Sequence, residues 1–276
     1  ARGGRAGKRC GERDGLLGVG LVGCGGRGTG AAAQALGADE GAVLVAMGDA
    51  CADHLNNSHN TLQASADIQE RVQVPPENRF VGFDAYKQVI EAVDVVLLAM
   101  SPFCRPMHVA YAVERGKHLF VEKPLGVSVE ECEALRQKIK QSGLILQVGN
   151  NRRFDPGIAF AKKFVDEEIG GRIAFKAWYY DSTYRYTMTD NLQAMVTTSG
   201  QVRRPQGNPK ADRRRYYILG HASHLVDTVR LLGGEITCCR ARLLERFESW
   251  CWYVDVDFAD GSLGHLEDRT GTRLNS

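Results

Sequence analysis

Leu16 to Gly37 reads LLGVGLVGCGGRGTGAAAQALG: an apolar run, a cluster of glycines, then an alanine-rich segment. This order predicts a strand, a tight turn and a helix. Inside it, Gly23-Cys24-Gly25-Gly26-Arg27-Gly28 has the spacing G-x-G-x-x-G. In that context the three glycines have separate tasks. Gly23 permits the tight turn, Gly25 lets the backbone approach a pyrophosphate, and Gly28 allows close helix–strand packing. The helix start offers unpaired N–H groups and a positive dipole end to phosphates. A second apolar run, Ala42 to Met47, ends at Gly48-Asp49. Asp49 lies about 20 residues past the glycine cluster, where an acid hydrogen-bonds the hydroxyls of an adenosine ribose. A 2′-phosphate would meet that carboxylate, so NAD is favoured over NADP. Arg27 keeps NADP open as the second choice.

Outward from this stretch, Asp94 to Met100 (DVVLLAM), His118 to Pro124 (HLFVEKP) and Leu144 to Gly149 (LILQVG) are further strand-length apolar runs. Helical segments separate them. Asp84 is an expected N-cap, a helix over Met107 to Arg115 is stopped by Gly116, and Ser128 with Glu131 forms a capping box. Unalternating strands between helices predict a parallel sheet covered on both faces. After Asn151 the texture changes to helices followed by strand formers, with Asp260-Gly261 as a hairpin turn. The expected fold is therefore α/β. A Rossmann-type doubly wound domain over 16–149 precedes an α+β domain over 150–276 with a largely antiparallel open sheet, apparently truncated. Residues 1–15 read as a disordered basic tail.

The composition excludes several classes. The 276 residues are 43% hydrophobic and 25% charged, enough for a buried core. A net charge of +2 argues against a dedicated nucleic-acid binder. No apolar run reaches the roughly 18 residues of a membrane span. Eight cysteines without a C-x-x-C pair read as reduced thiols of a cytoplasmic protein.

The chemistry reads from the far edge of the predicted sheet. Glu122-Lys123-Pro124 closes a strand at its carboxyl end, where ligands of open α/β sheets bind. A lysine there can donate to a substrate hydroxyl. Here the chain resembles the Gfo/Idh/MocA oxidoreductases. The resemblance lies in the glycine turn, Asp49, DVVLLAMSP with His108, GKHLFVEKP (116–124), VGNNRRFDP (148–156) and GHASHLVD (220–227). It implies hydride transfer between a nicotinamide and a carbinol carbon of a sugar, amino sugar or cyclitol. Transient oxidation during glycoside cleavage is a variant. It also implies a homo-oligomer formed through the second domain's sheet.

By the same resemblance, Lys123 sits near the nicotinamide and the substrate hydroxyl, and His224 is the proton acceptor. Ser101, Pro102, His108 and Glu122 join Gly23, Gly25, Arg27, Gly28 and Asp49 around the cofactor. Asn151, Arg153, Tyr184, His221 and Asp227 are candidate substrate residues. The chain departs from the family at Gly220, where many members have an aspartate four residues before the histidine. It also ends early, at RTGTRLNS. These departures motivate a competing, non-catalytic reading: a regulatory protein that binds the dinucleotide. His221, His224 and Asp227 share a helix face on which a metal is conceivable, but no metal site is expected.

Overall fold

A computed structural model describes residues 15–182, 212–247 and 249–271. The described residues form two compact units, divided after Val148.

In the first unit, strands β1 (Leu17–Val22), β2 (Ala42–Asp49), β3 (Arg79–Val81), β4 (Val95–Leu98), β5 (His118–Val121) and β6 (Leu146–Val148) form one sheet in the order β3-β2-β1-β4-β5-β6. Every pairing is parallel. Helices α1 (Gly26–Ala38), α2 (Ala52–Gln63), α3 (Ala85–Glu91), α4 (Arg105–Glu114) and α5 (Val129–Ser142) connect the strands. The apolar runs are continuous because both sheet faces are covered. One core joins Leu21, Leu44 and Met47 to Leu36, Leu55 and Leu62. The other joins Val45, Val96 and Val121 to Ile90, Val109 and Leu135. The chain order reverses between β1 and β4, so the crevice at their carboxyl ends is the fold's switch point.

Local signals are mostly realised. The Ser128 Oγ accepts the Glu131 N–H at 3.1 Å, and Gly143 ends α5 in the left-handed region. Asp84 is the N-cap residue of α3 as expected, but its side chain makes no capping bond. Its carboxylate instead pairs with the Lys87 ammonium at 2.7 Å.

In the second unit, α6 (Pro156–Phe164) starts at Asp155, whose carboxylate accepts the Gly157 and Ile158 N–H groups. A four-stranded sheet follows in the order β7-β10-β9-β8: β7 (Ala174–Ser182), β10 (Leu263–Gly271), β9 (Ser249–Phe258) and β8 (Ile236–Arg246). Only β7 and β10 run parallel, so the sheet is largely antiparallel. Helix α7 (Arg213–Tyr217) passes through a π turn (Ile218–Ala222) into α8 (Ser223–Gly233). Leu225 and Val229 of α8 pack on Val256, Phe258 and Leu266, covering one sheet face. The other face carries Trp178, Tyr180, Leu244 and Leu263, all exposed. Among the described residues, no helix is long and apolar enough to cross a membrane.

Candidate functional site

The glycine turn has the form a dinucleotide needs. Gly23 has φ +92°, and a Cβ there would stand 2.7 Å from the Met100 amide nitrogen. A Cβ on Gly28 would lie 1.8 Å from the Gly23 carbonyl oxygen, so any side chain would force the turn open. Gly25 is the N-cap of α1 and supplies no side-chain acceptor; no acidic residue sits in the first turn. The amides at the head of this 13-residue helix are thus left to an anionic ligand rather than to a cap.

Asp49 closes the turn from β2. Its Oδ2 accepts the Cys24 N–H at 2.7 Å and its Oδ1 accepts the Cys51 N–H at 2.9 Å. Oδ1 also lies 3.4 Å from the His54 Nδ1, and a carboxylate oxygen can accept more than one hydrogen bond, so Asp49 can also receive a ribose hydroxyl. The turn and this acid suit NAD: the amides suit the pyrophosphate, the acid the adenosine ribose.

Arg27 is directed elsewhere. Its Nε donates to the Glu122 Oε1 at 2.7 Å, and its guanidinium is ion-paired with that buried carboxylate. This pair gives Glu122 a definite task, linking the end of β5 to the glycine turn. Lys123 follows, half-buried, before a cis peptide bond to Pro124. Ser101 and Pro102 form the turn after β4; their carbonyls accept the Cys104 and Arg105 N–H groups. The loops after β1, β2, β4 and β5 therefore leave one edge of the parallel sheet together, bearing Gly23, Asp49, Ser101 and Lys123.

Arg105 is a residue the sequence reading missed. It is buried; its Nε donates to the Met100 carbonyl at 3.0 Å and its Nη1 to the Pro124 carbonyl. It thereby ties the β4 and β5 loops together. Burial lowers its pKa to about 10, while Glu122 acts in the opposite direction. The one local signal is a charged residue beside Pro106 at a helix start; its distant partners leave no mark in the sequence.

His108 is buried between α3 and α4, stacked on Tyr86 with ring centroids 3.9 Å apart. Desolvation lowers its pKa to about 4, so the ring is neutral and packs as part of the core.

The second unit holds the remaining candidates. Arg153 grips Asp227 with two hydrogen bonds, Nε to Oδ2 at 2.8 Å and Nη2 to Oδ1 at 2.6 Å. The Asn150 amide adds a third at 3.0 Å. Asp227 thus pins the segment after β6 to α8, and its hydrogen bonds, before its charge, raise the Arg153 pKa. Asn151 is exposed at the start of the turn Asn151–Phe154.

His221 is likewise corrected from a substrate residue to a core one. It is 2% exposed, stacks on Tyr179 at 4.0 Å, and places Nδ1 3.0 Å from the Asp268 Oδ1. The Tyr217 hydroxyl donates to the same oxygen at 3.0 Å. His224 is half-buried on α8. Because His221 and Asp227 turn to Asp268 and Arg153, the suggested metal face on this helix is not assembled. Tyr184 lies outside the described residues.

A parallel sheet with an uncapped glycine turn and an acid at the end of the next strand defines a dinucleotide-binding domain. Residues 17–150 match the Gfo/Idh/MocA family, described as an oxidoreductase family with an NAD-binding Rossmann fold. The matched residues take in the whole parallel sheet of the first unit.

Among curated relatives, the chain is 42% identical over 90 residues to scyllo-inositol 2-dehydrogenase (NAD(+)) of Bacillus subtilis, covering 32% of this chain and 26% of that protein. It is 30% identical over 137 residues to levoglucosan dehydrogenase of Pseudarthrobacter phenanthrenivorans, covering 48% and 31%. The matched stretches thus span about a quarter to a third of these relatives' lengths. Over the whole fold, the chain resembles scyllo-inositol dehydrogenase from Lactobacillus casei, solved with NAD(H) and scyllo-inositol. The TM-score is 0.68 at 21% identity, covering 93% of this chain and 70% of that one.

Proposed function

We propose that this chain belongs to an NAD-dependent oxidoreductase that moves hydride between the nicotinamide and a carbinol carbon of a sugar, amino sugar or cyclitol. The observation that carries the reading is Asp49, anchored by the Cys24 and Cys51 amides at the mouth of an uncapped glycine turn. Inositol and levoglucosan dehydrogenases among the relatives support the polyol class. When bound, the nicotinamide supplies the hydride acceptor. The Gly23–Gly28 amides hold the pyrophosphate and Asp49 the ribose. Lys123 donates to the reacting hydroxyl, fixing its oxygen and stabilising developing negative charge. His224 receives the hydroxyl proton, a task for which an imidazole is suited near neutral pH. Asn151 is the remaining substrate-facing candidate. The protein is proposed to be cytoplasmic and to assemble through its open sheet.

The test combines NAD and NADP thermal-shift titrations with absorbance at the NADH band across a panel of sugars and cyclitols. The expected result is stabilisation by NAD and reduction with at least one polyol. Lys123→Ala and His224→Ala should each cut turnover by about 100-fold or more, the scale of general acid–base effects. Turnover within threefold of the parent would remove these residues from the chemistry.

A binding-only regulator is the second reading. It is motivated by Gly220, which stands where many members of the family the chain resembles have an aspartate. NAD stabilisation without reduction by any panel member supports it.

A further inference from the structure

We infer that Asp49, Cys51 and His54 form a site for a zinc-class divalent cation, and that this cation and NAD exclude one another. The three residues lie at the junction of β2 and α2, and one ligand atom from each falls within 4.8 Å of the others. The Asp49 Oδ1 and His54 Nδ1 are 3.4 Å apart. Zinc bonds of about 2.0–2.1 Å to oxygen and nitrogen place two corners of one tetrahedron roughly 3.4 Å apart. Cys51 is buried and His54 mostly so, which limits competition from water. Carboxylate, thiol and imidazole in one group form a mixed O/S/N donor set, which selects zinc over magnesium or calcium.

The charge balance favours the ion. Binding releases the Cys51 thiol proton to solvent, so thiolate and carboxylate present two negative charges to a dication. The head of α2 opposes a cation with only about half an elementary charge. Three protein ligands leave the fourth position to water. The Asp49-x-Cys51-x-x-His54 spacing is visible in the sequence, but it becomes a ligand group only because the β2–α2 turn folds back on itself.

Exclusion follows from Asp49, whose oxygen cannot serve a metal and a ribose hydroxyl equally well. This half of the inference rests on the proposed nucleotide role of Asp49. Zinc and NAD should then weaken each other by the same factor.

The experiment uses the full chain, stripped with chelator, and Zn(II) titrated against a chromophoric zinc indicator with and without saturating NAD. NAD binding to the metal-free chain is measured separately by thermal shift. The expected result is one zinc per chain, bound at least 30-fold more weakly by Cys51→Ser and by His54→Gln, and at least tenfold more weakly when NAD is saturating. Unchanged zinc affinity in both variants would mean an adventitious ion only and would overturn the site. Zinc binding lost in the variants but indifferent to NAD, in a chain that binds NAD when metal-free, would overturn the exclusion. A metal-free chain that binds no NAD would overturn the nucleotide reading and the exclusion with it, while the variants still decide the metal site.

Discussion

At the residue scale, Asp49 shows how a single carboxylate can be made ready for a ligand. Its two backbone bonds fix the side chain, so little rotamer entropy remains to be lost when a ribose arrives. Asp49→Ser keeps a hydrogen-bonding group but removes the charge. It should weaken NAD by about 10- to 100-fold, the range of one or two charge-assisted bonds at about 1.5–3 kcal/mol. NADP should lose less, because its 2′-phosphate no longer meets a carboxylate. Isothermal titration with both cofactors measures the ratio. An unchanged NAD/NADP preference would show that Asp49 does not face the ribose. Arg27 should not rescue NADP, since its guanidinium is committed to Glu122.

At the element scale, the α3–α4 seam sets a pH dependence. His108 has an ordinary pKa of 6.5 and a folded value of about 4 through desolvation. Between these values the unfolded chain binds a proton that the folded chain refuses. Stability is therefore complete above pH 6.5, falls as pH drops toward 4, and changes no further from this group below that. The loss is about 3 kcal/mol for a shift of this size. His59, also lowered by burial and secondly by Arg79, acts in the same direction. Urea unfolding at pH 7.5 and pH 4.5 should show a smaller difference for His108→Phe than for the parent, since phenylalanine keeps the stack on Tyr86 without the proton. Equal differences would mean that His108 is solvated.

The same seam shows what the sequence discloses. Strands β1, β2, β4 and β5 were legible because burial on both faces leaves continuous apolar runs, and the glycine turn because its backbone admits no side chain. His108 was not, because a helix periodicity does not say what packs on each face. Asp84 stands at the expected helix start, but its carboxylate pairs with the Lys87 ammonium instead of bonding a helix amide. Arg105 and Asp268 were invisible as partners because their contacts join distant segments. The π turn at Ile218–Ala222 was hidden because one extra residue barely disturbs the apolar spacing of the helix.

At the scale of the whole molecule, the described residues cover the sheet of the second unit on one face only. Residues paired across it share a face, so register decides which side chains lie together. Trp178 pairs with Glu267, Glu267 with Tyr253, and Leu244 with Cys251. Trp178 and Tyr180 alternate with Tyr179, which turns inward to His221. Arg269 lies over the Tyr180 ring at 4.0 Å, a screen that covers only part of the apolar surface. An aromatic and aliphatic face of this kind, with Trp178 60% and Leu244 51% exposed, is costly in water and suited to burial against a second copy. Sedimentation velocity over a range of concentrations should show an oligomer for the parent. Trp178→Lys combined with Leu244→Glu should shift it to monomer, because each charge would be buried without a partner at an interface. NAD binding should survive in that variant, since the nucleotide residues belong to the other unit. A parent that stays monomeric at high micromolar concentration would refute assembly through this face. A variant that stays oligomeric would move the interface to another surface.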